Sequence, residues 1–499
     1  MKPHSERSGW SPKRRAVLCS SLALAAVFLP HLPFLRLPYF WDEAGQFIPD
    51  AVDILLHGAW VPISVTPNIH PPAVMAYLAL AWKLAGYHVA VTRAAMLLLA
   101  SAGLLAAFLV ARELSKGAAL FAAFLLAISP MFFGQAMLAQ LDAPAMLFTM
   151  LALLAFLRER IRIAAALCVA LVLVKETGLV VPLVFAGWLA YERRWRDAAW
   201  FLAPAAVLAI WIAALFRATG QWAGSTGFEQ YNVEYPLEPA RVGVAFARRV
   251  YTLFVANFHW VGTAAMLAGW RLFRDRRWRI AWLLVAAHAV MLSLLGGAVL
   301  ERYLLPVMPI VYAAMATAVL SFRRWLRAAS AAALATGIAA GLLINPPYPF
   351  PYENNLAFTD FITLQQQTTS YLESRYADAS VATVWPLTAE LLHPELGFVE
   401  RKVPVVRLKN LSAQTLRAMN WNQLQVLVVY SRNWDPRSSL LHYGPILRFW
   451  QRVYGYVPNL GMAEARAMSP YPVAAHFERR GQWVDIYVNP KTSLGASLR

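Results

Sequence analysis

The sequence predicts a polytopic α-helical membrane protein of about eleven transmembrane helices with an extracytoplasmic α/β domain at its C-terminal end. Three observations carry this expectation. The 499-residue chain is 59% hydrophobic and only 14% charged, a membrane composition and not that of one soluble domain. Long apolar runs recur, separated by short breaks rich in arginine and lysine. After the proline-rich stretch Asn345-Pro-Pro-Tyr-Pro-Phe-Pro351 the runs stop and shorter strand-like segments begin.

The first run, Ala16–Leu35, follows Lys13-Arg14-Arg15 and so resembles a signal peptide. Pro30-His-Leu-Pro33 and Arg36-Leu-Pro38 stand where a small-x-small cleavage site is needed, so the run reads as a retained first span beginning in the cytoplasm. With Lys2 and Arg7, those basic residues form the first basic segment. Later breaks are Arg112…Lys116, Arg158–Arg162, Arg193–Arg196, Arg271–Arg279 and Arg323–Arg327. Each falls where an even-numbered span returns to the cytoplasm, which is the positive-inside pattern. The spans then lie at about 16–34, 89–111, 117–134, 143–157, 162–176, 177–191, 198–216, 250–270, 280–297, 303–320 and 328–344. The odd count leaves the C-terminus outside a bacterial-type cytoplasmic membrane. The net charge of +18 resides in those breaks and on no single face, so no nucleic-acid partner is indicated. Cys19 and Cys168 lie in apolar runs and read as small buried side chains, not as a disulfide or metal pair.

The outer segments differ in character. Within loop 35–88, Ile48–Leu56 has apolar residues near helical spacing, and His70-Pro71-Pro72 opens a second apolar stretch to Trp82. Both read as helices lying along the outer surface. A span at 71–86 would put the later basic clusters outside, so it is rejected. Lys175-Glu176-Thr177-Gly178 reads as the outer junction of two helices. The segment 217–249 reads equally as a mobile lid or as a connector. These elements make up residues 1–344, and 345–351 is the linker. In 352–499, Val381–Trp385, Val405–Leu408, Gln425–Tyr430 and Trp483–Val488 read as strands between helical stretches at 359–376 and 412–420, hence an α/β domain.

In this register the acids of the membrane half outside the basic breaks map to the outer face, Asp42, Glu43, Asp142, Glu176 and Glu301 among them. Ionisable groups at a membrane edge are functional candidates, and acids at one depth suggest a polar cavity open to the outside. A lipid-phosphate headgroup would lie at that depth, with Arg302, Lys175, Arg93 and His70 as the cationic candidates. Arg93 reads more readily as an interfacial anchor. Lys175 and Glu176 read equally as a mutual pair. A carboxylate there can act as general base on an incoming hydroxyl. No P-loop or G-x-G-x-x-G is present, so nucleotide chemistry is not indicated.

The order Asp42-Glu43, His70-Pro71-Pro72, Gln140-Leu-Asp142, Val174-Lys175-Glu176-Thr177 and Glu301-Arg302-Tyr303-Leu-Leu-Pro306 resembles the lipid-donor glycosyltransferases of the GT-C fold. Within them it is similar to the branch of protein O-mannosyltransferases and of aminoarabinose transferases acting on lipid A. The resemblance covers about residues 16–320. It implies a polyprenyl-phosphate sugar donor, a lipid, glycan or protein acceptor, and inversion at the anomeric carbon. It makes Asp42 the base, with Glu43 supporting it and Asp142 as a second acid. Where a divalent metal is used, Asp42 and Asp142 would bind it; no other cofactor is implied. Arg302, Lys175, His70 and Tyr303 would bind the donor phosphate. His70 stands where the lipid A branch has a lysine, which weighs against that acceptor. The rival readings are a multi-span transporter or lipid flippase, which should show polar residues within spans and internal repeats, and a scaffold indifferent to loss of Asp42.

Overall fold

A computed structural model describes residues 12–492. Lys2 and Arg7, and the side chains of Lys13 and Arg15, lie outside the described residues. The chain starts with α1 (Pro12–His31), then two short helices, α2 (Ile48–His57) and α3 (Ala73–Ala85). Both fall within loop 35–88, where the sequence predicts two helices. Gly58, left-handed at φ +64°, ends α2 as only glycine does cheaply. The longest helix, α4 (Val89–Leu114), has 26 residues and spans about 39 Å.

The apolar runs continue as α5 (Ala119–Ala127), α6 (Pro130–Met137), α7 (Asp142–Leu157), α8 (Ile161–Val174) and α9 (Val180–Tyr191). Next come α10 (Trp195–Ala199), α11 (Leu202–Thr219), the one-turn α12 (Thr226–Glu229), α13 (Pro239–Phe254) and α14 (His259–Ala268). The helical part closes with α15 (Arg276–Leu294), α16 (Met308–Leu320) and α17 (Arg324–Ala340). Alanine and leucine dominate, so backbones approach closely: a Cβ on Gly103 of α4 would lie 2.7 Å from the Met146 side chain of α7.

Helices occupy all eleven expected ranges, but they are not uniform. By length and apolarity alone, four described helices are long enough to cross a membrane, or six when each bent pair counts as one. The expected continuous helix at 117–134 is instead α5 and α6, bent by 64°. Ser129 causes the break: its side chain caps α6 by accepting from the Phe132 N–H, and Pro130 follows it. The expected span 250–270 divides at Asn257 (φ +51°) between α13 and α14, with a 45° bend.

Four of the charged breaks meet one another. Glu113 pairs with Arg158 (3.0 Å) and Arg277 (3.2 Å). Glu159 pairs with Arg194 (2.7 Å) and Arg276 (2.9 Å), and Arg276 also reaches Glu192 (2.7 Å). Breaks far apart in sequence therefore share one ionic surface.

Beyond the linker, α18 (Ala357–Tyr376) packs on a five-stranded sheet of order β2-β1-β3-β5-β4. The strands are β1 (Val381–Thr383), β2 (Val405–Arg407), β3 (Val426–Tyr430), β4 (Val473–Arg479) and β5 (Gln482–Val488). Strands β2, β1 and β3 are parallel, and β5 runs antiparallel to both β3 and β4. The wholly apolar β3 is buried throughout, as a central strand should be. The edge strand β4 escaped the sequence reading: Val-Ala-Ala-His-Phe-Glu-Arg lacks a run of β-branched residues, and its pairing comes from a hairpin through Arg480-Gly481, both at positive φ. Helices α19 (Leu387–Leu392), α20 (Ala413–Arg417), α21 (Gly444–Tyr454) and α22 (Met462–Met468) complete this part.

Candidate active site

The stretch before α2 is where the helical part meets the sheet. Trp41 has φ +45°, a conformation that costs a non-glycine residue about 1–3 kcal/mol. Its ring meets Trp385 edge-on at 4.7 Å and Phe361 at 5.9 Å. Aromatic residues of the C-terminal part therefore hold the turn that presents Asp42.

Adjacent residues on a helical turn point about 100° apart, and the two neighbouring acids separate accordingly. Asp42 lines a cavity and its side chain is 35% exposed. Glu43 turns inward and is fully buried. Its carboxylate pairs with Arg93 and accepts from the N–H groups of Phe40 (2.8 Å) and Ala139 (2.5 Å). Arg93 also donates to the carbonyls of Pro38 (2.8 Å) and Met137 (2.9 Å). Two expectations are corrected here. Glu43 does not reach the cavity, and Arg93 is no interfacial anchor but a fully buried tie between the Asp42 turn and the 137–139 segment. A guanidinium with five donors can satisfy several carbonyls where a snorkelling side chain would meet water.

Arg302 is the hub of the cavity wall. Its guanidinium donates to Asp42 Oδ2 and Gln140 Oε1. Asp142 Oδ2 lies 3.4 Å away and Glu353 Oε2 3.3 Å away. Asp142 begins α7, where the helix dipole favours a carboxylate, and its Oδ1 accepts from Lys175 Nζ at 2.6 Å. The Lys175 ammonium also sits 4.1 Å from the Tyr303 ring centroid. Lys175 thus pairs with Asp142 and not with Glu176, because the junction between α8 and α9 turns the two side chains apart. Glu176 pairs with His70, Nδ1 to Oε2 at 2.8 Å. Glu301 is likewise separate from Arg302: it takes Arg248 (2.7 Å) and the Asn354 amide (2.6 Å).

Burial disfavours the Arg302 charge, but Glu353 and Asp42, reinforced by Asp142, outweigh it and hold the guanidinium protonated well above its usual range. Burial pushes the Glu353 carboxyl up to about 7; Arg302 opposes the shift, while Asp42 and Asp142 add to it. Glu353 was missed from sequence. It follows the proline-rich linker, where a lone acid gives no periodic or motif signal.

The cavity measures about 920 Å³. Asp42, His70, Asp142, Lys175, Arg302 and Tyr303 all line it. The segment 217–249 contributes Phe228, Tyr231, Asn232 and Tyr235. The C-terminal part contributes Arg432, Asn433, Trp450 and Tyr454. Among the described residues no three His, Cys, Asp or Glu side chains group together for a metal ion, and Asp42 and Asp142 each turn an oxygen to Arg302.

Its many helices, its α/β part and the charged cavity between them form one structure, and the chain has the GT-C fold. It is similar to the crystal structure of ArnT from Cupriavidus metallidurans bound to undecaprenyl phosphate, with TM-score 0.53 and 15% identity over 97% of this chain and 100% of that one. The apo state of the same ArnT gives TM-score 0.52 and 14% identity over 95% and 97%. An archaeal oligosaccharyltransferase, AglB from Archaeoglobus fulgidus in complex with an inhibitory peptide and a dolichol-phosphate, gives 0.47 and 13% over 83% and 68%. At such identities the likeness to the two ArnT structures establishes the fold and nothing finer. No protein-family model and no curated protein sequence matches the chain.

Proposed function

We propose that this protein is a membrane glycosyltransferase that moves a sugar from a polyprenyl-phosphate donor to an acceptor hydroxyl at the outer face of the membrane. One observation carries the reading: chain segments far apart in sequence bring Asp42, Asp142, Lys175 and Arg302 together on the wall of one cavity, in a chain with the fold of a transferase solved with undecaprenyl phosphate.

Asp42 Oδ2 is held by Arg302, and its Oδ1 makes no hydrogen bond among the described residues. That oxygen takes the proton of the acceptor hydroxyl. The hydroxyl oxygen attacks the anomeric carbon, forming the new glycosidic bond with inversion. The bond from that carbon to the phosphate oxygen breaks, and polyprenyl phosphate leaves with the electron pair. Lys175 and Arg302 supply the positive charge that meets the leaving phosphate. Tyr303 supports Lys175 from below its ammonium, and His70, tied to Glu176, borders the same space.

The test is transfer by purified protein offered a panel of polyprenyl-phosphate sugars. Asp42→Asn should reduce turnover by about 10²–10⁴-fold with an unchanged melting temperature. Undiminished transfer by Asp42→Asn would remove Asp42 as base. Failure of the wild-type protein to consume any such donor would remove the whole reading.

A further inference from the structure

The cations of the cavity are not equally free to meet a ligand. Arg302 faces three carboxylates, Lys175 is held by Asp142, and Arg248 is held by Glu301. Arg432 differs. Among the described residues no carboxylate lies within ion-pair distance of it, and its Nε is buried with no hydrogen-bond partner. Its guanidinium lies 5.4 Å from the Trp41 ring centroid, beside the turn that carries Asp42, and it lines the cavity.

Its position is fixed by the sheet. Arg432 follows Ser431 at the end of the central strand β3. Ser431 donates its N–H to the Trp483 carbonyl at 3.0 Å, and its hydroxyl accepts from the Trp483 N–H at 3.0 Å. The neighbouring Asn433 is held by Asn459 at 2.8 Å. A planar guanidinium just past the end of a paired strand and over an indole has its fork set in advance for two oxygens of one anion. A half-desolvated cation without a counter-ion is costly, and an arriving anion offsets that cost.

We infer that Arg432 is a second anion subsite of the cavity, supplied by the C-terminal part of the chain, and that it takes a phosphate group. The inference rests on the transferase reading for the identity of the anion, since lipid donors carry phosphate. That phosphate is either the donor lipid's own or one that arrives on another molecule, and the two sources separate experimentally.

Full-length protein in detergent is titrated with undecaprenyl phosphate, with undecaprenol, and with inorganic phosphate, comparing wild type with Arg432→Gln. If the lipid phosphate sits there, Arg432→Gln binds undecaprenyl phosphate at least tenfold more weakly while undecaprenol binding is equal. If the phosphate comes from elsewhere, undecaprenyl phosphate binding is unchanged, but the rise in melting temperature that inorganic phosphate gives the wild type is lost. Equal responses of both proteins to both phosphate probes would overturn the subsite. Arg432→Lys keeps the charge without the fork and guards against a folding defect: it should bind whichever phosphate probe applies several-fold more weakly, and wild-type affinity would count against bidentate capture. A wild type that responds to inorganic phosphate through Arg432 but never consumes a lipid donor would leave the subsite standing and sink the transferase reading.

Discussion

At the scale of single residues, the decisive fact is that two adjacent acids do unlike work. Asp42 faces the cavity, whereas Glu43 is locked on Arg93 in the interior. Removing one partner of such a buried pair strands the other charge, at about 3–5 kcal/mol. Glu43→Ala should therefore show a sharply lowered melting temperature in detergent and poor recovery, in contrast to Asp42→Asn. A Glu43→Ala protein as stable as wild type would contradict the buried tie. Glu353 gives a pH signature. Its carboxyl is neutral below about 7, so Arg302 then faces only Asp42 and Asp142 as charged acids. As pH rises through that value Glu353 ionises and adds negative charge where the donor phosphodiester, charged throughout the range, must approach. Donor KM should climb between pH 6.5 and 8 in the wild type, and Glu353→Gln should flatten the rise; an equal rise in both proteins would clear Glu353 of the effect. Sequence made Asp42, Asp142 and Arg302 visible because charged residues punctuate apolar runs. It could not reveal that Arg93 points inward, since a charge near a span end looks the same whether it meets water or carbonyls.

At the scale of elements, helix positions were legible because the apolar runs and basic breaks are local signals, and helices α2 and α3 followed from spacing and from Pro72. The breaks inside two expected spans were not, because a capping serine before a proline or a left-handed asparagine interrupts the helix and leaves the surrounding apolar run almost unchanged. The segment 217–249 was open between lid and connector, and its packing bears on that choice. Gly224 has φ +82°, and a Cβ there would lie 2.8 Å from the backbone of Asn68, two residues before His70. Asn232 accepts at its carbonyl from the Gly296 N–H (2.7 Å), and its side-chain oxygen accepts from Gly297 (3.2 Å). The segment is thus seated against loop 1 and the turn before Arg302. Gly224→Ala brings a strained φ and a backbone clash together. It should cost about 1–3 kcal/mol and raise donor KM more than it lowers kcat, because it shifts the cavity wall and leaves Asp42 in place. A proportionate loss of kcat with KM unchanged would instead point to a distant disturbance of the reacting groups.

At the scale of the whole molecule, the cavity lies between the helical part and the sheet, and four of the charged breaks meet elsewhere in one ionic surface. Each set has its own logic. The breaks carry arginines paired with Glu113, Glu159 and Glu192, and their exposure makes each pair weak. Their shared location matters more than their energy, because it shows that segments separated by pairs of helices return to the same end. Lysine and arginine accumulate on the cytoplasmic side of membrane proteins, so this end should face the cytoplasm and the C-terminal sheet should face outside. Cysteine labelling checks it. In a background with Cys19 and Cys168 replaced by alanine, exposed Ser321 beside the Arg323–Arg327 break and exposed Ser438 of the C-terminal part are each changed to cysteine. In right-side-out vesicles a membrane-impermeant maleimide should label Ser438→Cys at once and reach Ser321→Cys only after permeabilisation. The reverse pattern would turn the molecule over and place Asp42 on the cytoplasmic side, where a soluble nucleotide-sugar donor would become the first candidate. Labelling of both before permeabilisation would mean that Ser321 and Ser438 share a face, and the positive-inside register would fail at its last break.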